Sequence, residues 1–249
     1  MSARADPSAS RDRTVRIPWA LPVLTDAHLE ALKWVAFGSM LIDHFGRYAF
    51  GLGTDSWAFA VGRLAFPLFA LVLATNLARP GERTERAWRT SRRLAVWALI
   101  SVIPSWWARE VWLPVNVLAT LSIGAALCAV LDSRCSALIR GSAVAVGAAA
   151  GFFVEFSVPG VLLVLAIQRL QVNGTIPSLC LAAAMLALTA GLNMSFGGPG
   201  AAIWTFAVLG AVLAVRVGRF GLRRRKWAFY LAYPAHFVLV GALSRVLPL

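Results

Sequence analysis

The chain has 249 residues, of which 59% are hydrophobic and only 14% are charged. A soluble domain of this length could not bury so much apolar surface, so the composition excludes a soluble globular protein and predicts an all-α, polytopic transmembrane helix bundle. The formal net charge of +13 is typical of nucleic-acid binders, but the arginines are predicted to lie in loops between helices. We therefore expect membrane lipid as a partner, and no nucleic acid.

The start of the chain differs in composition from the remainder. Residues 1–24 are polar for most of their length and are predicted to be a disordered cytoplasmic tail, followed by a single transmembrane domain over 25–249. The first long apolar run begins near Ala31 and continues past Met40 without a cleavage site, so no cleavable signal peptide is expected.

The apolar runs predict about nine spans joined by short loops. Thr25 or Asp26 is the expected N-cap of the first helix. One span is short, and Pro159 and Gly160 at its start allow a bent or re-entrant segment. The predicted spans are 30–50, 57–78, 93–108, 114–131, 139–156, 158–170, 177–195, 201–215 and 227–247.

Arginine and lysine are distributed unevenly between alternate loops, which predicts the orientation of the bundle. They are concentrated in segments 79–93 and 216–226, in the loops after spans four and six, and in the N-terminal tail. All of these lie on one side if the N-terminus is cytoplasmic and nine spans are crossed. The opposite side keeps little more than Arg109 and Arg245.

Polar and ionisable side chains occur inside the predicted spans, although each charged one costs roughly 2.5–3.5 kcal/mol on insertion scales. The predicted topology places them at a similar depth, in the outer half of the bundle, on spans one, two, four and nine. Together they would supply imidazoles, a carboxylate, guanidinium groups, an amide and a hydroxyl, which suit general acid–base chemistry with an anion to stabilise. They are Asp43, His44, Arg47, Arg63, Asn116, Tyr233 and His236.

Each of these residues also has a structural interpretation. Asp43 and Arg47 are four residues apart and could form a self-neutralising ion pair. Arg63 could extend to the membrane interface, and His236 could satisfy the backbone turn broken by the nearby proline. A metal site of Asp43, His44 and His236 has no supporting ligand spacing, so no metal is expected. A proton-coupled transporter that uses these three residues as a relay, and a non-catalytic assembly factor, stay open as functions.

The segment "RPGERTERAWRTSRR" carries six arginines against two glutamates. Such a segment orients the bundle and contacts lipid headgroups. Alternatively it binds the phosphates of an anionic cofactor, for which arginine is suited by its bidentate contacts. The residues predicted to bind such a cofactor are Arg83, Arg86, Arg89, Arg92, Arg93 and Arg224.

Five segments carry a resemblance to a known family: "LKWVAFGSMLIDHFG", "VGRLAFPLFALVLA", "RRLAVWALISVIPSWW", "PVNVLATLSIGAAL" and "YLAYPAHFVLV". In order and spacing the chain resembles the TraX family over roughly residues 25–131 and 227–241. The namesake of that family is the membrane acetyltransferase that N-acetylates conjugative F-type pilin. The resemblance implies a multi-pass acyltransferase of the bacterial inner membrane that uses cytoplasmic acetyl-CoA to acetylate an amine, such as a pilin N-terminus, or another acceptor near the outer side.

The resemblance carries over six site positions, to which we assign roles. His44 is expected to act as general base or to carry the acetyl group transiently, with His236 as the second candidate base. Asp43 points about 100° away from His44 on a helix, so we expect it to pair with Arg47 or Arg63. The oxyanion of the tetrahedral intermediate would be stabilised by Arg63, Asn116 or Tyr233.

Overall fold

The computed structural model describes residues 24–218, 222 and 225–247. Within these ranges the chain forms nine α-helices and one π-helical turn, and no β-strand, which confirms the predicted all-α class. The predicted tail, apart from Leu24, and the predicted CoA ligand Arg224 lie outside the described residues. The helices are α1 (Asp26–His44, continued by the π-helical turn Phe45–Ala49), α2 (Trp57–Gly62), α3 (Ala65–Ala78), α4 (Arg83–Arg109), α5 (Val117–Asp132), α6 (Ala137–Gly151), α7 (Ser157–Asn173), α8 (Ile176–Val217) and α9 (Lys226–Val246).

Some of these helices are long and apolar enough to cross a membrane. In the described part of the chain three segments qualify by length and composition: Trp57–Ala78 (α2 with α3), Ile176–Val217 (α8) and Trp227–Val246 within α9. Helices α5, α6 and α7 are apolar but shorter. These helices support membrane association, whereas the count of nine spans and the cytoplasmic N-terminus stay predictions.

Helix α8 consists of two limbs that fold back on each other. Its backbone leaves the helical conformation at Gly197 and at Gly198, where φ is +68°. The Asn193 side chain donates a hydrogen bond of 2.8 Å to the hydroxyl of Thr205. Twelve residues of straight helix would separate these side chains by about 18 Å, so the chain must reverse direction between them. The limbs, 176–196 and 199–217, correspond to the separately predicted segments 177–195 and 201–215.

Polar caps determine where several helices begin. Thr25 forms a reciprocal capping box with His28 at the start of α1, as one of the two predicted N-caps. Ser56 and Ser136 accept backbone hydrogen bonds at the starts of α2 and α6. Thr175 caps α8 in the same way, directly after the glycine that ends α7. These caps satisfy backbone N–H groups that no residue within the helix can bind.

The arginine-rich segment is helical rather than a loop. Helix α4 begins at Arg83, whereas the sequence predicts that the third span begins near residue 93. The charged residues therefore occupy its first turns, and the apolar part follows without interruption. Helix α4 packs against α5 and α9, which places its arginine-bearing end beside the start of α9.

Helix α7 lies at the centre of the bundle, where it contacts α3, α5, α6 and α8. Val161 and Val164 are fully buried in these contacts. The sequence allowed a bent or re-entrant segment here, but the helix is continuous over its 17 residues. Pro159 lies in the first turn, where a missing N–H disrupts no intrahelical hydrogen bond.

Candidate active site

A cavity of ≈ 280 Å³, which we call the histidine cavity, lies beside the end of α1. Its walls come from α1 and the π-helical turn, α2, α3, the end of α4, the loops before α5 and α7, and the first limb of α8. Most of the lining is apolar, and the titratable side chains in it come from five separate segments. They are Asp43, His44, Arg47, Tyr48, Arg63, Arg109 and Glu155.

His44 and His236 form a direct hydrogen bond at the back of this cavity. The Nδ1 atom of His44 lies 2.7 Å from Nε2 of His236, and the two rings stack with centroids 5.0 Å apart. Both imidazoles are buried, with 8% and 5% of the residue exposed. Only His44 lines the cavity. His236 therefore lies behind His44, and the Nε2 atom of His44 is the nitrogen left for a molecule in the cavity.

The surroundings of His236 favour one arrangement of the protons. The backbone carbonyls of Ala232 and Tyr233 lie near the His236 ring, and its Nδ1 atom is buried without a hydrogen bond of normal geometry. Because Nε2 is bound to His44, Nδ1 is the ring nitrogen left for these carbonyls. Carbonyl oxygens next to Nδ1 favour a proton on that nitrogen, which leaves the lone pair on Nε2. Nε2 then accepts the Nδ1–H of His44, and the lone pair of His44 is on Nε2, facing the cavity.

Asp43 binds Arg63, on the neighbouring helix, through a buried ion pair. The Arg63 Nε–H also donates to the carbonyl of Phe59 at 3.2 Å, so the guanidinium is directed into the protein rather than to the membrane interface. The helices approach closely here, because a Cβ on Gly62 would lie 2.3 Å from the Cβ of Asp43. The second carboxylate oxygen of Asp43 is buried without a hydrogen-bond partner.

The alternative partner, Arg47, lies in the π-helical turn that follows His44. The N–H of Phe50 donates to the carbonyl of Phe45 at 3.0 Å, which is the five-residue spacing of a π-helical turn. The Arg47 guanidinium instead lies over the rings of Tyr48 and Phe59, at 5.0 Å and 5.2 Å. It lines the cavity as a cation available to a bound anion. Such turns are frequent at functional sites.

A second ion pair in the cavity, between Arg109 and Glu155, is missing from the sequence-based prediction. Arg109 ends α4, and Glu155 lies in the loop before α7. The backbone of Glu155 is held on both sides, because its N–H donates to the carbonyl of Val115 at 2.9 Å and its carbonyl accepts from Thr120 at 2.6 Å. One feature of the sequence could have identified Glu155, because no other acidic residue follows Asp132 in the chain.

Three of the six predicted catalytic residues do not line the histidine cavity: His236, which lies behind His44, Asn116 and Tyr233. Asn116 is 1% exposed and its side chain is bonded at both ends, since Nδ2 donates to the carbonyl of Ala98 and Oδ1 caps α5 at Leu118. The predicted oxyanion role of Asn116 has no geometric support, because both ends of the amide are already bonded. Tyr233 lines a second cavity instead, and its ring lies 5.3 Å from that of His236.

The sequence also matches a known family over almost its whole length. The family model described as "TraX protein" matches residues 28–244, a range that contains every cavity residue named above. The chain belongs to the TraX family. Among relatives of this TraX-family chain, a "Protein TraX" of Escherichia coli (strain K12) is 29% identical over 233 residues, covering 90% of each chain. Another "Protein TraX" of Escherichia coli is 32% identical over 105 residues, covering 42% of this chain and 40% of the relative. No solved structure matches.

The predicted phosphate-binding arginines of this TraX-family protein do not converge on one point. Arg86 donates to the carbonyls of Arg79 and Pro80 at the end of α3. Arg89 pairs with Glu85 at 3.5 Å on an exposed face of α4. Arg83 is half-buried and Arg92 exposed, while Arg93 lines the second cavity. The predicted phosphate-binding arginines of α4 therefore have different surroundings, and Arg93 is the one that lines the second cavity.

The described residues of this TraX-family chain contain no cluster of three or more histidine, cysteine or carboxylate side chains arranged to hold a metal ion. Asp43, His44 and His236 belong to the same site, but the Asp43 carboxylate is bound by Arg63 and the two histidines bind each other. The expectation that the protein needs no metal stays a prediction.

Proposed function

We propose that this protein is an integral membrane acyltransferase that transfers an acetyl group from acetyl-CoA to an amine. The observation that carries the proposal is the position of His44, whose Nε2 faces a cavity while Nδ1 is held by His236 at 2.7 Å. An imidazole oriented through one nitrogen, with the other free for substrate, is the arrangement used by a general base. Membership of the TraX family supports an acceptor such as a pilin N-terminus and a site in the inner membrane.

The proposed reaction follows from the position of the proton on His44, which is on Nδ1 and leaves Nε2 free to accept another proton. The neutral amine attacks the thioester carbon, and Nε2 of His44 takes a proton from the amine nitrogen as the new C–N bond forms. The carbon–sulfur bond then breaks, and the thiolate leaves and receives that proton, so the products are the amide and the free thiol of CoA. His236 accepts the Nδ1–H of His44 throughout and stabilises the imidazolium.

Two cavity arginines are placed to stabilise the oxyanion of the tetrahedral intermediate. Arg63 is positioned by Asp43 and by the carbonyl of Phe59. Arg47 lies over two aromatic rings and lines the same cavity. Loss of one such donor costs about 2.7–4 kcal/mol of transition-state stabilisation. The oxyanion role predicted for Asn116 or Tyr233 passes to Arg47 beside Arg63, because these two arginines line the histidine cavity, whereas Asn116 and Tyr233 do not.

The acceptor approaches from the side of the cavity formed by Arg109 and Glu155, which is the predicted outer side. Phe156 and Phe196 line the same cavity and supply apolar contacts. The Glu155 carboxylate is already paired with Arg109, so the amine enters in its neutral form, which is the form on which His44 acts. The donor comes from the opposite, predicted cytoplasmic, side, where the arginines of α4 attract its phosphates.

The test is acetyl transfer by purified protein from radiolabelled acetyl-CoA to an amine-bearing peptide. His44→Ala should reduce transfer by on the order of 10²–10⁴-fold, as expected for loss of a general base. His28→Ala is the matched control, because His28 lies in the capping box of α1 and away from the cavity. A folded wild-type protein that neither binds acetyl-CoA nor transfers the label would overturn the proposal.

One observation favours a proton-coupled transporter as the second candidate, namely the hydrogen bond between two buried histidines. The predicted relay also includes Asp43, but its carboxylate is bound by Arg63 and makes no hydrogen bond to either imidazole. Proton flux into proteoliposomes, followed with a pH-sensitive dye, separates the two functions. Flux that depends on His44, in protein that transfers no acetyl group, would replace the enzyme with a transporter.

A further inference from the structure

We propose that a second cavity in the bundle is the entrance for the acyl-carrying arm of the donor, and that Arg93 binds a phosphate of that donor there. The inference rests on the proposed function, since it assigns a route to the donor of the same reaction. This second cavity has a volume of ≈ 190 Å³ and lies between α1, α3, α4, α5 and α9. The ligand class is a long, flexible thioester with phosphate at its far end.

The second cavity contains a positive charge without a counter-charge in the described part of the chain, which favours the binding of an anion. Lys33 and Arg93 both line it, but the Lys33 ammonium pairs with Glu30, one turn before it on α1. Arg93 has no carboxylate partner among the described side chains, and its Nε–H is buried without a hydrogen-bond acceptor. Its guanidinium lies over the ring of Tyr230 at 5.5 Å. A half-buried cation without a counter-charge is costly, and a bound phosphate would remove that cost.

Beyond Arg93 the second cavity suits an uncharged arm. Phe37, Leu94, Leu118 and Leu121 give it apolar walls, and Thr90 supplies a hydroxyl. Asn76 donates through Nδ2 to the carbonyl of Val72 at 2.8 Å, which leaves its carbonyl oxygen as an acceptor. An acceptor and a hydroxyl between apolar walls match the amide groups of an otherwise apolar chain.

The second cavity leads to the histidines. Phe69 and Val117 line both cavities, so a single layer of side chains separates them. Tyr233 lines the second cavity, with its ring 5.3 Å from that of His236. The arm that enters past Arg93 therefore reaches the histidine cavity between Phe69 and Val117, which delivers the thioester to His44 from the side opposite Arg109 and Glu155.

The first experiment compares two donors, acetyl-CoA and S-acetyl-N-acetylcysteamine, a truncated thioester without phosphate. Arg93→Leu should raise the KM for acetyl-CoA at least tenfold and leave the KM for the truncated donor within twofold. Arg134→Leu is the control, because Arg134 is an exposed arginine on the predicted cytoplasmic side and does not line either cavity. An unchanged KM for acetyl-CoA, or an equal rise for both donors, would contradict the role of Arg93.

A second variant tests the route itself. Thr90→Trp places an indole in the second cavity and should lower turnover at least tenfold with both donors, since both must pass it. Thr84→Trp is the matched control, because Thr84 lies on the same helix, faces away from this cavity and is also half-buried. Full turnover by Thr90→Trp with either donor would place the entrance elsewhere.

Equilibrium binding keeps this inference separate from the proposed function. The Kd of acetyl-CoA is measured in detergent without phospholipid, so it is defined even if wild-type protein turns over neither donor. A tenfold weaker Kd for Arg93→Leu supports the phosphate site in either case. An unchanged Kd, together with loss of co-purified phospholipid from the variant, would assign Arg93 to a lipid headgroup and overturn the inference.

Discussion

At the scale of single residues, the two nitrogens of His44 have different surroundings. Nδ1 is bound to His236, and Nε2 faces the histidine cavity. His236 does not line that cavity, so in the proposed reaction it could act on the substrate only through His44. The second candidate base is on these grounds a positioning residue, whose contribution is to hold the ring of His44 and its tautomer.

This assignment predicts different effects for two substitutions of His236. His236→Leu removes the acceptor of the Nδ1–H and should lower kcat by on the order of 10²-fold, with a small change in KM, because a misoriented base loses rate rather than binding. His236→Gln keeps an acceptor oxygen and should recover part of the rate. The measurement is steady-state acetyl transfer, with thermal unfolding as the control for folding. Equal loss in both variants would show that the imidazole itself takes part in the reaction.

The bonds of individual side chains also explain which of the predicted residues contribute to the site. Asp43 could meet an arginine four residues along its own helix or one on another helix, and it binds the more distant Arg63. Asn116 has a polar side chain at the right depth, but it is used as a helix cap and an interhelical bond. Residue type and depth thus predict the candidates, and the hydrogen-bond partners decide between them.

At the scale of helices, the Asp43–Arg63 pair depends on the close approach of α1 and α2. Gly62 permits it, because any Cβ at this position would overlap the side chain of Asp43. The π-helical turn after His44 is the other element-level feature, since it carries Arg47, whose guanidinium lies over Tyr48 and Phe59. The geometry of the site therefore depends on how the end of α1 meets the end of α2.

Gly62→Ala tests that contact. The added Cβ would lie 2.3 Å from the Cβ of Asp43, so the helices must separate, at a cost of about 1–3 kcal/mol in the free energy of unfolding. Gly38→Ala is the matched control on α1, because its Cβ would meet nothing within 4 Å. It should be neutral or stabilising by up to about 1 kcal/mol. Thermal unfolding in detergent measures both, and an unaffected Gly62→Ala would contradict the close approach.

At the scale of the whole molecule, the two cavities lie in series across the bundle. Arg93 lines one cavity from the first half of α4, and Arg109 lines the other at the end of the same helix. A donor and an acceptor that enter from opposite sides could thus meet at His44 without sharing a path. This arrangement requires α4 to cross the membrane, although its arginines keep it outside the set of helices that qualify by hydropathy.

Cysteine labelling tests the crossing of α4. Arg89→Cys and Glu110→Cys place exposed thiols at its two ends, in a background without Cys128, Cys135 and Cys180. A membrane-impermeant maleimide should label Glu110→Cys in intact spheroplasts and Arg89→Cys only after permeabilisation. The 27 residues of α4 extend about 40 Å, enough to span a bilayer. Labelling of both thiols in intact spheroplasts would reject the predicted orientation.

The sequence by itself determined the class of the protein and marked part of its candidate site. Composition alone indicates a membrane bundle, because apolar content depends on no contact between helices. Helical runs are visible for a similar reason: hydrophobic periodicity and caps such as Thr25 are local features of the chain. The presence of Asp43, His44, Arg63 and His236 within apolar runs was sufficient to mark them as candidates.

Only the tertiary structure decided which of these groups meet. His44 and His236 are 192 residues apart, and no local pattern predicts that they bind each other. Glu155 enters the site through a loop whose position depends on its hydrogen bonds to Val115 and Thr120. Contacts of this kind depend on the rotation and separation of packed helices, which are set by side-chain fit across the whole bundle rather than by neighbours in the chain.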